Sequence, residues 1–147
     1  MEALLISECL LGVACRYDGR SVPLPAETLK KLMARYALVP VCPEQLGGLE
    51  TPRNPSERRG SRVVMNTGAD VTDQYTRGAA QALYLARQFG CTKALLKERS
   101  PSCGSGTIYD GSFTGTLTAG WGVTAEMLQD AGLTVYGESG AEALLGP

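Results

Sequence analysis

The chain of 147 residues contains no histidine. Histidine is the side chain that most often acts as general acid or base near neutral pH, and it is the usual partner of a serine or cysteine nucleophile. Its absence therefore excludes the common catalytic triads and dyads. Any chemistry has to use carboxylates, hydroxyls, thiols, backbone amides or a bound metal.

An excess of charge of one sign and a long apolar run are lacking as well. Lysine and arginine total 14 and aspartate and glutamate total 15, which gives a net charge of -1. The chain therefore has neither a basic field for nucleic acid, tRNA included, nor an acidic tail. The first residues carry no basic leader, and their apolar run is too short to cross a membrane. We expect a cytoplasmic protein whose partner is a small molecule, and neither a nucleic acid nor a membrane.

The five cysteines are an odd number. A secreted disulfide scaffold normally uses an even set in a smaller, loop-rich chain. In a reducing compartment, by contrast, thiols are free for packing, reactivity or metal binding. The length is sufficient for one core without cross-links. We therefore predict one domain over residues 1–147.

Alternating strand and helix patterns predict an α/β fold. Strands at this spacing, each followed by a helix, favour right-handed crossovers and a mostly parallel, Rossmann-like sheet with helices on both faces. A small β-hairpin is expected around the turn signal Asp110-Gly111. The predicted sheet strands are residues 3–6, 39–42, 92–96 and 133–136, with a short strand at 62–65. The predicted helices begin near residues 25, 72 and 124.

Caps and loops give smaller predictions. Asp70 or Thr72 is suited to cap the long helix that begins near residue 72, and Ser139 with Glu142 forms a capping-box pattern near the end of the chain. The segment 43–60 reads as a long loop, which in a compact domain is usually functional or partly disordered. Its arginines are interpreted as a solvated face. Glu98 and Arg99 are interpreted as an ion pair or a solvated edge.

The ten residues from Lys97 to Gly106 combine charges, hydroxyls, one thiol and two glycines, a composition unsuited to a core. They follow a predicted strand, and Pro101 prevents that strand from continuing. In parallel sheets, ligands bind outside the carboxyl ends of the strands. The predicted strands end near Cys9, Cys42 and Cys103, so three thiols that are distant in sequence are expected at one edge.

Three thiols without histidine suit a soft metal, and without a further ligand they match an iron-sulfur cluster better than zinc. The alternative is that each cysteine is a small buried apolar residue, which is the commonest role of a free thiol. That alternative is favoured for Cys91. Cys15 lies close enough to Cys9 in sequence to be a fourth ligand or a bystander.

A cubane cluster held by three cysteines leaves one iron open to a thiocarbonyl sulfur, which would expose the attached carbon to water. Glu44, two residues after Cys42, is then a candidate base or proton donor. Ser100 and Ser102 are candidate hydrogen-bond donors to the substrate. The alternatives are that Glu44 caps its loop and that the serines satisfy local backbone groups.

Three long motifs, in order, resemble the DUF523 family, whose best-understood members are thiouracil desulfidases. The resemblance runs from the first strand to the terminal strand. The residues that carry it are SECLLG at 7–12 with RYDG at 16–19, VPVCPEQLGGL at 39–49, and KERSPSCG at 97–104 with IYDG at 108–111.

The resemblance implies an oxygen-sensitive [4Fe-4S] cluster on Cys9, Cys42 and Cys103. It also implies non-redox removal of sulfur from a thiolated pyrimidine base such as 2-thiouracil. The acidic and serine catalytic groups of the family fall on Glu44 and Ser100, while Ser102 is a substrate-binding candidate. One departure is Glu8, at a position where related chains tend to carry a small residue.

Two other functions compete with the desulfidase. One is a binding or sensing module whose cluster or zinc is structural and supports no turnover. The other is a cluster-dependent sulfur transferase that acts on a nucleoside or tRNA, which the net charge disfavours. An open coordination site separates the desulfidase from the module, whereas a fourth ligand such as Cys15 would favour a closed structural site.

Overall fold

The computed structural model describes residues 1–146. The strands of its main sheet are separated by helices along the chain, as the apolar periodicity predicts. Short 3-10 helices span Glu8–Leu11 and Glu138–Gly140. The other elements are β1 (Glu2–Ser7), α1 (Ala26–Arg35), β2 (Tyr36–Val41), α2 (Pro43–Leu46), β3 (Ser56–Arg59), β4 (Arg62–Met65), α3 (Thr72–Gln88), β5 (Lys93–Leu96), β6 (Thr107–Tyr109), β7 (Leu117–Ala119), α4 (Val123–Asp130), β8 (Thr134–Gly137) and α5 (Ala141–Leu145).

The main sheet has four strands in the order β2-β1-β5-β8. All neighbouring pairs are parallel, so the predicted α/β class is confirmed. The chain passes from β1 to β2 on one side and later returns to β5 on the other side. The loops that follow β1 and β5 therefore diverge, and this is where open parallel sheets form their ligand crevice.

Side chains of β1 alternate between two cores. Leu4 and Ile6 pack in a cluster with Leu32 of α1 and Leu144 of α5. Leu5 points to the other face, into a cluster that contains residues of α3 and α4. Each of these leucines is almost fully buried, which contributes about 2 kcal/mol per side chain. Both faces of the sheet are covered by helices, as predicted, and no helix within residues 1–146 is long and apolar enough to span a bilayer.

Two antiparallel hairpins lie outside the main sheet: β3 pairs with β4, and β6 pairs with β7. The strand β3 and the short helix α2 were not predicted, because both fall within the segment interpreted as a loop. The hairpin around Asp110-Gly111 is present. Residues 110–116 connect its strands, so it lacks the tight two-residue turn that the Asp-Gly pair favours.

The two predicted caps have different outcomes. An Asp70 carboxylate oxygen accepts the backbone N–H of Thr72, the first residue of α3, at 2.9 Å, but the N-cap position is Val71, which makes no side-chain capping bond. The Ser139–Glu142 capping box does not form. The hydroxyl and backbone N–H of Ser139 instead donate to the Glu98 carboxylate, at 2.5 and 3.2 Å. That contact to the loop after β5 removes the Ser139 hydroxyl from the role of a cap.

Candidate active site

A cavity of about 580 Å³ opens at the carboxyl ends of β1, β2 and β5. Its volume is in the range of small-molecule sites. Four of the five cysteines line it: Cys9, Cys15, Cys42 and Cys103. Cys91 packs in the core against α3 and α4 instead. The fold thus brings the three strand-end thiols together, and Cys15 joins them.

The thiols of the cavity are free and almost fully buried. Cys9 lies in the 3-10 helix after β1, and Cys42 lies between β2 and α2. The Cys42 sulfur is 3.8 Å from the backbone oxygen of Cys15. Cys42 and Cys9 are also the neighbours that most affect the pKa of the Cys15 thiol. Cys9, Cys15 and Cys42 therefore neighbour one another in the cavity wall near the ends of β1 and β2.

Cys103 is held by a loop that is fixed on both sides. The Ser100 hydroxyl oxygen accepts the backbone N–H groups of Ser102 and Cys103, each at 3.0 Å. On the other side, the first amides of α4 and the residue before it donate to the carbonyls of this loop. These bonds are Gly122 to Gly104 at 2.7 Å, Val123 to Pro101 at 2.9 Å, and Thr124 and Ala125 to Ser102 at 2.8 and 3.1 Å.

Burial and mutual contact hold the protons on these thiols. Burial raises the pKa of Cys103 to about 12. A hydrogen bond with Cys42 lowers the pKa of Cys15, but contact with Cys9 and burial outweigh it and raise the value to about 11. Contact with Cys15 and burial raise the pKa of Cys42 as well. A metal that binds here must displace these protons.

The donor set fits an iron-sulfur cluster better than a single ion. Within residues 1–146, no three cysteine, aspartate or glutamate side chains converge on one point as a single metal ion requires. Structural zinc needs four ligands around one such point. The cysteines that hold an iron-sulfur cluster bind different irons, so they can line a cavity, as Cys9, Cys42 and Cys103 do.

Glu44, in the first turn of α2, presents its carboxylate to the cavity. Arg53 Nε donates to Glu44 Oε2 at 3.1 Å, and Arg53 Nη2 pairs with the same oxygen. The Tyr75 hydroxyl donates to Glu44 Oε1 at 2.9 Å. The side chains of Arg53 and Glu44 are 5% and 15% exposed. The carboxylate is thus fixed in direction and accepts hydrogen bonds from both partners, which suits a base more than a proton donor.

The two hydrogen-bond partners of Glu44, Tyr75 and Arg53, both stay protonated. Burial, followed by the Glu44 charge, raises the pKa of Tyr75 well above its ordinary value. Burial lowers the pKa of Arg53, but the neighbouring Glu44 carboxylate more than offsets this and raises it. The tyrosine hydroxyl and the guanidinium therefore keep their protons at neutral pH.

Every N–H group of the Arg53 guanidinium has an acceptor. Besides the two bonds to Glu44, Nη2 donates to the Cys15 carbonyl, and Nη1 donates to the Glu50 carbonyl and the Thr51 hydroxyl, all at 3.0 Å. Arg53 therefore has no donor left for a ligand. It ties the carboxylate to the loop that carries Cys15.

The interpretation of the arginines as a solvated face is wrong for Arg53 and Arg58, whereas Arg59 and Arg62 are exposed. Arg53 is buried in the site. Arg58 donates to the Trp121 carbonyl at 2.6 Å and pairs with Glu126 at 2.9 Å. Arg59 donates to the Gly111 carbonyl at 2.7 Å. The hairpin β3–β4 folds this segment onto the rest of the chain, which its polar composition did not indicate.

The two candidate serines occupy different places. Ser100 lines the cavity, and its oxygen already accepts two backbone N–H groups, so its own proton is free to be donated. Ser102 is 1% exposed, is not part of the cavity wall, and its hydroxyl lies 2.8 Å from that of Thr124. The geometry supports Ser100 at the site and gives Ser102 a structural contact.

Glu98 and Arg99 do not pair with each other. Glu98 binds Ser139, whereas Arg99 is exposed and lines the cavity. The placement of Arg99 agrees with the solvated edge predicted for it.

Sequence reasoning missed several residues of the site. Arg53 and Tyr75 lie 9 and 31 residues from Glu44, and neither has a local motif. Ser7 is also at the cavity, where its hydroxyl oxygen accepts the Lys97 backbone N–H at 3.0 Å and so joins the ends of β1 and β5. The one available signal for Ser7 was its place at the end of an apolar run.

Comparison with known proteins decides the family. The model of the 2-thiouracil desulfurase family matches residues 4–140. The chain belongs to the 2-thiouracil desulfurase family. It is similar to a solved structure described as [4Fe-4S]-dependent thiouracil desulfidase TudS, with 46% identity and a TM-score of 0.94 over 98% of this chain and 95% of that one. It is also 42% identical to the uncharacterized protein YbbK of Bacillus subtilis (strain 168), over 92% of this chain and 95% of that protein.

Membership of the 2-thiouracil desulfurase family confirms the resemblance carried by the three motifs. It also confirms the predicted class of enzyme, one that removes sulfur. The similarity to TudS confirms the predicted fold class, and the cofactor predicted from the sequence is the one in the description of that structure.

Proposed function

We propose that the protein removes sulfur from a thiolated pyrimidine base, 2-thiouracil or a close relative, and yields the oxo base and sulfide. The observation that carries this proposal is the meeting of three strand-end thiols and the fixed Glu44 carboxylate in one cavity. A closed structural metal site has no use for an oriented carboxylate beside it. The alternative, a binding or sensing module without turnover, is therefore less well supported.

Cys9, Cys42 and Cys103 are the residues that would hold a [4Fe-4S] cluster. When bound, such a cluster supplies an open iron that acts as a Lewis acid toward the sulfur of a thiocarbonyl. The Cys15 thiol, whose pKa is affected by Cys9 and Cys42, lines the same cavity as this ligand set. All five thiols of the chain are free, which agrees with a protein that functions in the reducing cytoplasm.

Glu44 supplies the base. Its carboxylate takes a proton from a water molecule, whose oxygen bonds to the thiocarbonyl carbon, and the carbon-sulfur bond then breaks. That proton and the remaining proton of the attacking water both pass to the departing sulfur as the carbonyl forms. Water and thiocarbonyl thus give carbonyl and hydrogen sulfide, and no electrons are transferred.

Other residues of the cavity serve this step. Arg53 and Tyr75 hold the Glu44 carboxylate in one orientation, which reduces the loss of freedom required to reach the transition state. The Ser100 hydroxyl, whose oxygen is already held by two backbone N–H groups, donates a hydrogen bond to the substrate.

The test is sulfide release by anaerobically reconstituted protein. We expect incubation with 2-thiouracil to yield sulfide and uracil in equal amounts. Glu44→Gln should keep the iron content and lose turnover, whereas Glu50→Gln, an exposed glutamate of the same segment, should retain it. A fully loaded protein that releases no sulfide would instead support the module without turnover.

A further inference from the structure

Two residues of the cavity wall have an unusual backbone conformation. Within residues 1–146, Arg99 with φ 67° and Phe113 with φ 58° are the non-glycine residues at positive φ. Both line the cavity. Residues held in such conformations cluster at active and ligand-binding sites, where the surrounding structure enforces them. Their shared location in the cavity wall indicates that both residues have a functional role at this site.

The loop that carries Phe113 is fastened to strand β3. The Glu57 Oε1 atom accepts the backbone N–H of Gly111 at 2.9 Å and that of Phe113 at 3.1 Å. Arg59 donates to the Gly111 carbonyl at 2.7 Å, and its guanidinium carbon lies 5.8 Å from the centre of the Phe113 ring. A Cβ atom on Gly111 would lie 2.6 Å from Arg59 Cγ. The loop therefore rests directly on β3, and the Phe113 ring is held at the cavity.

Arg99 offers a cation at the same cavity. It is exposed, and the five ion pairs found within residues 1–146 do not include it. Its backbone bridges to Ile108 of β6, so the hairpin that presents Phe113 also fixes the position of Arg99. This contrasts with Arg53, whose donors are all used within the protein.

The two side chains match complementary features of one kind of ligand. An aromatic ring stacks on a flat heterocycle, and a guanidinium donates to an oxygen acceptor. A thiouracil has both a planar ring and a second exocyclic group, which is an oxygen. We propose that Phe113 stacks on the base and that Arg99 donates to this oxygen, with Glu57 as the positioning residue for Phe113. The assignment rests on the proposed function, because that function supplies the thiolated base.

The test measures binding of uracil, which has the ring and the oxygen but no sulfur. Calorimetry on the cluster-loaded protein should show uracil affinity about tenfold weaker in Phe113→Leu than in wild type, equivalent to about 1.4 kcal/mol. Phe113→Tyr keeps the aromatic face and should restore the affinity. Arg99→Gln should weaken binding of 2-thiouracil but not of pyrimidine-2-thione, which lacks the exocyclic oxygen.

Glu57 is tested by a pair of variants. Glu57→Gln keeps an oxygen that accepts both N–H groups, whereas Glu57→Leu removes it. We expect Glu57→Leu and Phe113→Leu both to raise KM for 2-thiouracil at unchanged kcat, and Glu57→Gln to resemble wild type. Thermal unfolding of all variants separates this effect from a general loss of stability.

The outcomes distinguish this inference from the proposed function. Uracil binding that depends on Phe113 in a protein that releases no sulfide would sustain the inference and reject the function. Equal uracil affinity in wild type and Phe113→Leu, or no uracil binding in wild type, overturns the inference. Sulfide release would then still stand as the test of the function.

Discussion

Gly47 and Gly78 bring helices α2 and α3 into direct backbone contact. A Cβ atom on Gly78 would lie 1.8 Å from the Pro43 carbonyl oxygen, and one on Gly47 would lie 1.9 Å from the Gln74 carbonyl oxygen. Helix α2 carries the Glu44 carboxylate, and α3 carries the tyrosine that binds it. The close approach at these two glycines therefore sets the position of Glu44, the proposed base.

The first prediction concerns Gly78→Ala. Alanine in a helix interior is normally more stable than glycine by about 1 kcal/mol. Here the overlap with the Pro43 carbonyl should reverse the sign, with a loss of about 1–3 kcal/mol in the free energy of unfolding, and turnover should fall as well. Gly140→Ala is the control, because its Cβ would meet nothing within 4 Å. If Gly78→Ala were as stable as Gly140→Ala, helices α2 and α3 could move apart at no cost in stability, which would contradict this prediction.

The second prediction concerns Arg53→Lys, which keeps the charge and loses the planar fork. Since Arg53 holds Glu44 but has no donor left for substrate, we expect kcat to fall about 100-fold through misplacement of the base. KM and iron content should change little. Arg62→Lys, in the exposed pair with Asp70, is the control. A change in KM alone would mean that Arg53 binds substrate rather than positioning Glu44.

The third prediction separates the two serines. Ser100→Ala removes the hydroxyl at the cavity and should lower turnover. Ser102→Ala removes a buried hydrogen bond to Thr124, so it should cost about 1 kcal/mol of stability with turnover retained. Sulfide release and denaturant unfolding measure the two effects. Loss of turnover in Ser102→Ala with none in Ser100→Ala would reverse the assignment.

The fourth prediction is a pH dependence of stability at the start of α3. Hydrogen bonds from Thr72, with the neighbouring Arg62, lower the pKa of Asp70 from 3.8 to about 2. The ionised group therefore stabilises the fold above pH 3.8, and this contribution is lost as the pH falls through about 2. Asp70→Asn keeps an oxygen that accepts the Thr72 N–H but removes the charge. Thermal unfolding should show a difference in stability between wild type and Asp70→Asn at neutral pH, and this difference should vanish toward pH 2. Asp73→Asn controls for a general charge effect. If the difference in stability stayed the same at every pH, the ionisation of Asp70 would not be its cause.

Much of the fold was predictable because its main signals are local. Apolar runs mark the sheet strands, and the cysteines that follow them meet because parallel strands end at one edge. The pairing of Arg53 and Tyr75 with Glu44 was not predictable, since each depends on how distant segments pack. Ser139 shows the same limit: its capping pattern is local, but the contact with Glu98 across the fold prevails.

The most direct test of the central claim is the iron and acid-labile sulfide content of anaerobically reconstituted cysteine variants. Alanine at Cys9, Cys42 or Cys103 should each abolish the cluster and the release of sulfide from 2-thiouracil. Cys91→Ala, in the core away from the cavity, should keep both. Full iron and sulfide content with normal turnover in any of the first three variants would contradict the account.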